Sequence, residues 1–241
     1  MPFDYRNTEQ LHADDLRGLS AWHHEGIGTM EPLPGGGMRL RRSGSPPGGL
    51  GCNAFFRPTL PDGIAVEYEL VVRSHAGLFI NFLAMRGLKG EDLVADRGEM
   101  EPRDGRFPNY YGRKWGLQSY HVSISRFRGE GEHTGTSNWR RNPGLLLVGH
   151  GEDPVREIGR PYRIRLTKEA GHLQLFVDGR FAHGCMDRDA GRYPIPDSGK
   201  FGFRLIGLDL TVEIRAFRVF RAALDEAARA EVWGNKEDFG L

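Results

Sequence analysis

The residues best suited to chemistry concentrate in SYHVSISRFR, residues 119–128. If Val122 and Ile124 face a core, His121, Ser123 and Ser125 face the other way. An imidazole titrates near neutrality, which makes His121 the leading acid/base candidate, with Tyr120, Arg126 and His150 as candidate assistants. Parity sets Arg126 opposite His121, so it reaches the same cleft only where the strand twists or bulges. Downstream, TSNWRRNPG adds three types of contact. Asn138 offers both a donor and an acceptor, Arg140 a planar fork for a carboxylate or a diol, and Trp139 a flat apolar face. Ser123, Asn81 and Glu25 complete the candidate ligand contacts. Each has a structural alternative: a core histidine for His121, an Asn-Pro turn for TSNWRRNPG, the end of an apolar row for His150. WHHEG, residues 22–26, suggests a metal pair, but adjacent histidines on a strand point to opposite faces, so no metal ligand is assigned.

The elements that must position these residues read as strands. IAVEYELVV alternates, with Val66, Tyr68 and Leu70 on one face and Glu67 and Glu69 on the other. GLFINFLAM, which contains Asn81, is a continuous apolar run suited to a central strand. GIGTMEPLPGGGMRLRR reads as a hairpin, and Asp178-Gly179 is a strong two-residue hairpin turn. Residues 87–116 form a long polar and aromatic excursion, of a length usually either functional or disordered. A second polar loop is expected over residues 129–142, and residues 222–233 read as a short helix packed outside the sheets. So many short strands predict an all-β jelly-roll sandwich of one domain over residues 1–221, with the helix and tail over 222–241. A curved sheet of such a sandwich is a natural place for a ligand.

Composition narrows the partners. A net charge of +1 supplies no field for gripping nucleic acid or an acidic membrane. Cys52 and Cys185 are too few for a disulfide framework or a zinc cluster. The first residues carry no signal-peptide pattern and no run approaches transmembrane length, so a cytoplasmic protein is expected.

YRIRLTKEAGHLQLFVDGR, DSGKFGFRL and VEIRAFRVF resemble the closing strands of the concanavalin A-like lectin/glucanase superfamily. HVSISRF followed by TSNWRRNPGLLLVGHGEDP resembles the YesU-like family within it, and PDGIAVEYEL, GLFINFLAMRGLKGEDL and YYGRKWGLQSYHVS fit the same family in order. The resemblance implies a concanavalin A-like sandwich and a carbohydrate ligand, since typical members occur among bacterial genes for pectin-type polysaccharide use. It admits a calcium ion by analogy with the superfamily, although no D-x-D-x-D-G loop marks one, and no cofactor is assigned.

With a sugar ligand, two cleavage chemistries come into view. Retaining hydrolysis needs two carboxylates facing one another across the bond. No E-x-D-x-x-E pattern occurs, and Glu67 and Glu69 read as solvent-facing. Elimination from a uronate needs a group that neutralises the carboxylate, a base and an acid. His121, Tyr120, Arg126 and His150 are of those types, with Asn138, Trp139 and Arg140 to hold the sugar. The expectation is therefore a protein that cleaves a glycosidic bond in an oligosaccharide, elimination ahead of hydrolysis, the ligand uronate-containing. The alternatives are a non-catalytic lectin-like binding module and an interaction domain with no sugar at all.

Overall fold

Alternating apolar and polar residues resolve into strands in a computed structural model, which describes residues 2–43, 50–100, 102–112, 116–128, 131–189, 191, 193–207, 209–225 and 227–228. In chain order the first strands are β1 (Arg6–Asp14), β2 (Trp22–Gly26), β3 (Thr29–Pro32), β4 (Met38–Arg41), β5 (Cys52–Phe56), β6 (Ile64–Val72) and β7 (Leu78–Gly87). A long excursion follows, with a 3-10 turn (Arg97–Glu99) and the single-turn helix α1 (Pro108–Tyr111). Then come β8 (Leu117–Ile124), β9 (Thr136–Asn142), β10 (Leu146–Glu152), β11 (Pro161–Glu169), β12 (His172–Val177), β13 (Arg180–Met186), β14 (Lys200–Ile206) and β15 (Thr211–Ala223).

These strands make two antiparallel sheets. The first runs β13-β12-β11-β6-β15-β4-β3, with β1 also paired to β15, and the second runs β10-β9-β8-β7-β14-β5-β2. The Asp178-Gly179 turn has φ of 53° and 77°, as a tight hairpin of this type requires. The core lies between the sheets, where Trp22 stacks on Phe203 with centroids 5.4 Å apart and Phe201 meets Phe203 edge-on at 5.0 Å. Val66, Tyr68 and Leu70 enter it from β6, while Glu67 and Glu69 sit on the outer face, as alternation predicts. β8 is central, between β7 and β9, and all eight of its residues are buried.

Two expectations need correction. Residues 136–142 are not loop but the strand β9, paired on both sides. Its polarity hides a strict alternation in which Ser137, Trp139 and Arg141 turn inward, the Arg141 charge being met by Asp187 at 3.0 Å. The C-terminal helix does not begin at Ala222: Ala222 and Ala223 end β15, and residues 226 and 229–241 lie outside the described residues.

Candidate functional site

The second sheet turns one face to the core and the other away from it. Cross-strand register aligns two rows on that far face, each crossing all seven strands. One row is His150, Asn138, Ser123, Ile80, Arg204, Asn53 and Glu25; the other is Leu147, Arg140, His121, Phe82, Gly202, Phe55 and His23. Neighbouring strands lie about 5 Å apart, so these rows lay down polar and aromatic groups at nearly regular intervals.

The excursion between β7 and β8 roofs the half of this face nearer β2. Tyr110, Tyr111 and Leu93 pack on Phe55, Ile80 and Phe82. Glu25 is the tie: Arg103 donates to it from Nη2 at 2.8 Å and from Nε at 3.1 Å, and the Tyr110 hydroxyl donates at 2.9 Å. Arg204 spans the same layer, donating to Asn53 Oδ1 and to the Gly105 carbonyl, both at 2.9 Å, with its guanidinium 4.6 Å from the Tyr110 ring centre. Gly105 itself lies against the sheet with φ of 90°; a Cβ there would come within 2.6 Å of the Gly51 carbonyl oxygen.

The half nearer β10 is open at its rim. His150 is exposed on the edge strand, Asn138 and Arg140 are part-exposed, and Ser123 lies on the floor. Arg126 reaches this face because β8 ends at Ile124 and Ser125 takes φ of 51°, which breaks the strand's alternation. Arg126 Nη1 donates to the Thr136 carbonyl at 2.9 Å and to its hydroxyl at 2.8 Å. With the Asn138 amide turned so that its nitrogen donates to the Ser137 carbonyl at 3.2 Å, its oxygen accepts from the same Nη1 at 3.0 Å. Asp153 holds this turn from below, accepting from the Arg126 amide at 3.0 Å and from His133 Nε2 at 3.1 Å. Arg140 Nη1 donates to the Leu145 carbonyl at 2.6 Å. Among the described residues neither Arg126 nor Arg140 has a carboxylate within 4.0 Å. Burial, and Arg140 working against Asp153, lower the pKa of Arg126.

His121 sits where the roof meets the open half. It is 3% exposed, with Tyr111 and Phe82 edge-on at 5.1 and 5.6 Å. Burial first, then the charges of Arg140 and Arg204, push its pKa down to about 3. At neutral pH it is therefore an uncharged ring with little tendency to take up a proton.

Several predicted site residues lie elsewhere. Tyr120 faces the core and donates to Asp187 at 2.8 Å; it shares its parity with Val122, so it cannot share a face with His121. Trp139 is fully buried between the sheets against His183, closed to any sugar. Asn81 also points inward, accepting from the Tyr68 hydroxyl at 2.6 Å. Glu25 is on the right face but is buried beneath the roof. The two histidines of WHHEG part as expected: His24 lies 3.5 Å from Cys52 Sγ, His23 3.2 Å from Glu25. Among the described residues no three His, Cys, Asp or Glu side chains gather as a metal-ligating group.

Other residues of this face escaped the sequence reading. Arg204 was detectable, because FGFRLIG alternates Phe201, Phe203 and Leu205 against Gly202 and an arginine. Tyr111 lay in a noted aromatic loop, but nothing in FPNYYGRKWG tells which ring is set against a histidine. Arg103 pairs with Glu25 across 78 residues, a contact with no local signal.

A cavity of about 510 Å³ opens at another edge, between Glu152, Arg160 and Phe181. Of its two arginines, Arg160 is already matched by Glu157 at 2.7 Å and Asp178 at 2.6 Å, while Arg180 has no carboxylate within 4.0 Å among the described residues. The open half instead sets two such cations, Arg126 and Arg140, on one face with the Asn138 amide and the Ser123 hydroxyl, which favours it as the ligand face.

Two packed antiparallel sheets, one with a far face half roofed and half open, define a galectin-like jelly-roll sandwich. The chain belongs to the family described as a domain of unknown function, DUF1961, whose model matches residues 5–219. It is 31% identical over 150 residues to the uncharacterized protein YesU of Bacillus subtilis (strain 168), a match covering 61% of this chain and 66% of that protein, just short of two thirds of its length. A solved Bacillus subtilis protein of unknown function with a galectin-like fold superposes with a TM-score of 0.81 at 26% identity, over 92% of this chain and 100% of that one. The Bacillus subtilis carbohydrate-binding module CBM66 shares the fold with a TM-score of 0.52 at 11% identity, over 83% of this chain and 95% of that one.

Proposed function

We propose that the chain binds an acidic oligosaccharide, one carrying carboxylates as a uronate does, along the open half of the far face. One observation carries the reading: Arg126, bonded to Asn138, and Arg140, bonded to the Leu145 carbonyl, share this face without a carboxylate partner among the described residues. Forked cations beside an amide and a hydroxyl suit a carboxylate flanked by sugar hydroxyls. The kinship in fold with a carbohydrate-binding module supports the sugar.

Binding without cleavage fits the geometry better than the expected cleavage does. The one carboxylate in the two rows is Glu25, held by Arg103, so hydrolysis by a facing pair finds no second member there. Tyr120 is turned to the core and His121 is poorly basic. Elimination stays as the second reading because of Tyr111, whose buried hydroxyl has no hydrogen-bond partner among the described residues and whose ring is 5.1 Å from that of His121.

The test is calorimetric titration with galacturonate oligomers and with neutral oligomers of equal length, followed by mass analysis of the mixtures. Saturable binding of the acidic series alone is expected, weakening with salt. Arg126→Gln and Arg140→Gln should each lose about tenfold or more in affinity, the value of one charge-assisted hydrogen bond. Equal binding of the neutral series, or none of either, overturns the reading. Fragments summing to the parent mass would establish elimination; fragments summing to the parent plus one water would establish hydrolysis.

A further inference from the structure

The amide of Asn142 determines what His121 can do. Asn142 ends β9, opposite Ser119 in register, and its Nδ2 donates to Ser119 Oγ at 2.9 Å and to His121 Nδ1 at 2.8 Å. An amide nitrogen donates and cannot accept, so Nδ1 is the bare nitrogen of the ring. A neutral imidazole with a bare Nδ1 carries its proton on Nε2. Among the described residues Nε2 has no hydrogen-bond partner. The groups that press on the ring are Arg140 from β9, Arg204 from β14, and Tyr111 and Phe82 edge-on. None is a carboxylate, so nothing there accepts from the ring or favours its charged form, as the partner of a catalytic histidine does. Asn142 is itself fully buried, and its Oδ1 has no hydrogen-bond partner among the described residues.

We propose that Asn142 is a positioning residue that fixes His121 as the Nε2–H tautomer, so that His121 acts as a neutral hydrogen-bond donor to an oxygen of the ligand and not as an acid or a base. The tautomer rests on the amide nitrogen of Asn142, and not its oxygen, facing the ring; the donor role rests on the saccharide reading above. A neutral histidine used this way fixes the orientation of a sugar oxygen without adding a third charge beside Arg126 and Arg140.

Long-range nitrogen-15 correlation spectra of the full-length protein decide the tautomer, with the His121 signals assigned by their loss in His121→Gln. The expected pattern is a pyridine-like Nδ1 and a pyrrole-like Nε2, unchanged from about pH 5 to about pH 8. A protonated Nδ1, a mixture of tautomers, or an imidazolium forming in that range overturns the proposal. Asn142→Asp replaces the donor with an acceptor, so it should move the proton to Nδ1 and raise the midpoint of the His121 titration by at least one pH unit. If that variant does not fold, the wild-type spectra decide alone. Adding a galacturonate trimer then tests the donor role. A shift of the Nε2–H signal on saturation supports it; saturable binding that leaves this signal unmoved overturns it. Absence of any saccharide binding defeats the saccharide reading and the donor role with it, while the ligand-free spectra still decide what Asn142 does.

Discussion

At the scale of single residues, the far face mixes satisfied and unsatisfied groups, and the unsatisfied ones carry the predictions. Tyr111 is 2% exposed, its hydroxyl has no hydrogen-bond partner among the described residues, and burial pushes its pKa up to about 12. A buried hydroxyl without a partner costs about 1–3 kcal/mol. Tyr111→Phe should therefore leave the fold as stable or raise its stability by about 1 kcal/mol in urea unfolding. If the same hydroxyl contacts the ligand, the variant loses affinity while gaining stability. A loss of about 1 kcal/mol or more of stability would mean that the hydroxyl is engaged within the protein, and would remove Tyr111 from the site. Contrast Glu25, whose carboxylate is gripped by Arg103 and Tyr110 and therefore holds structure, although its residue type invites a catalytic reading.

At the scale of elements, the strand alternation that located His121 also excluded Tyr120 and, once β9 is recognised as a strand, Trp139. That much was legible in the sequence. β9 was missed because its inward face holds Ser137 and Arg141, satisfied by His183 at 2.7 Å and Asp187 at 3.0 Å, so burial there does not look apolar. Asn81 was misplaced for the opposite reason: in GLFINFLAM almost every residue is apolar, and parity has nothing to mark which face is which. The roof was legible as an excursion, but its seat was not, since that depends on glycines meeting from three separate segments. Gly105 lies where a Cβ would come within 2.8 Å of Gly26 Cα and 2.6 Å of the Gly51 oxygen. Its carbonyl accepts from the Gly51 amide at 2.8 Å and from Arg204 at 2.9 Å. Gly105→Ala forces a left-handed backbone on alanine and a clash with two backbones, a loss of about 1–3 kcal/mol. The expected signature is faster amide exchange at Gly51 and across residues 103–111, with β8 and β9 still protected. Unchanged exchange over that segment would show that the roof is held by the Glu25–Arg103 pair without help from the glycine contact.

At the scale of the whole molecule, the buried histidines set an acid limit on stability. Burial holds His121 down to about 3 and both His172 and His183 down to about 4, with Arg140 and Arg204 adding to the first, the N-terminal charge to the second and His150 to the third. In the unfolded chain each returns to about 6.5. Below that value the unfolded state binds protons that the folded state refuses, so stability is full above about pH 6.5 and falls as the pH drops through the window down to about 4. Glu213, held at about 2 by Arg73 and Arg39, adds its own loss only at lower pH, as the pH falls from the ordinary carboxylate value toward 2. Asp153, raised by burial, works in the other direction, since protonating it favours the fold. His23 and His24, also lowered chiefly by burial, act in the same direction as these three, so five histidines stand against one buried acid and the net direction is clear. Melting temperature should therefore be level from about pH 8 to about pH 7 and decline steadily from about pH 6.5, before exposed carboxylates begin to titrate. Near pH 5, calorimetry in buffers of different ionisation enthalpy should record an uptake on unfolding approaching about three protons from His121, His172 and His183, increased by the share of His23 and His24 and reduced by whatever Asp153 releases. Replacing His183 by Gln should cut that uptake by about one proton, and His121→Gln should do the same. A melting temperature that stays level down to about pH 5 would show that these rings are charged in the folded protein, and with it would fall the neutral His121 on which the far face depends.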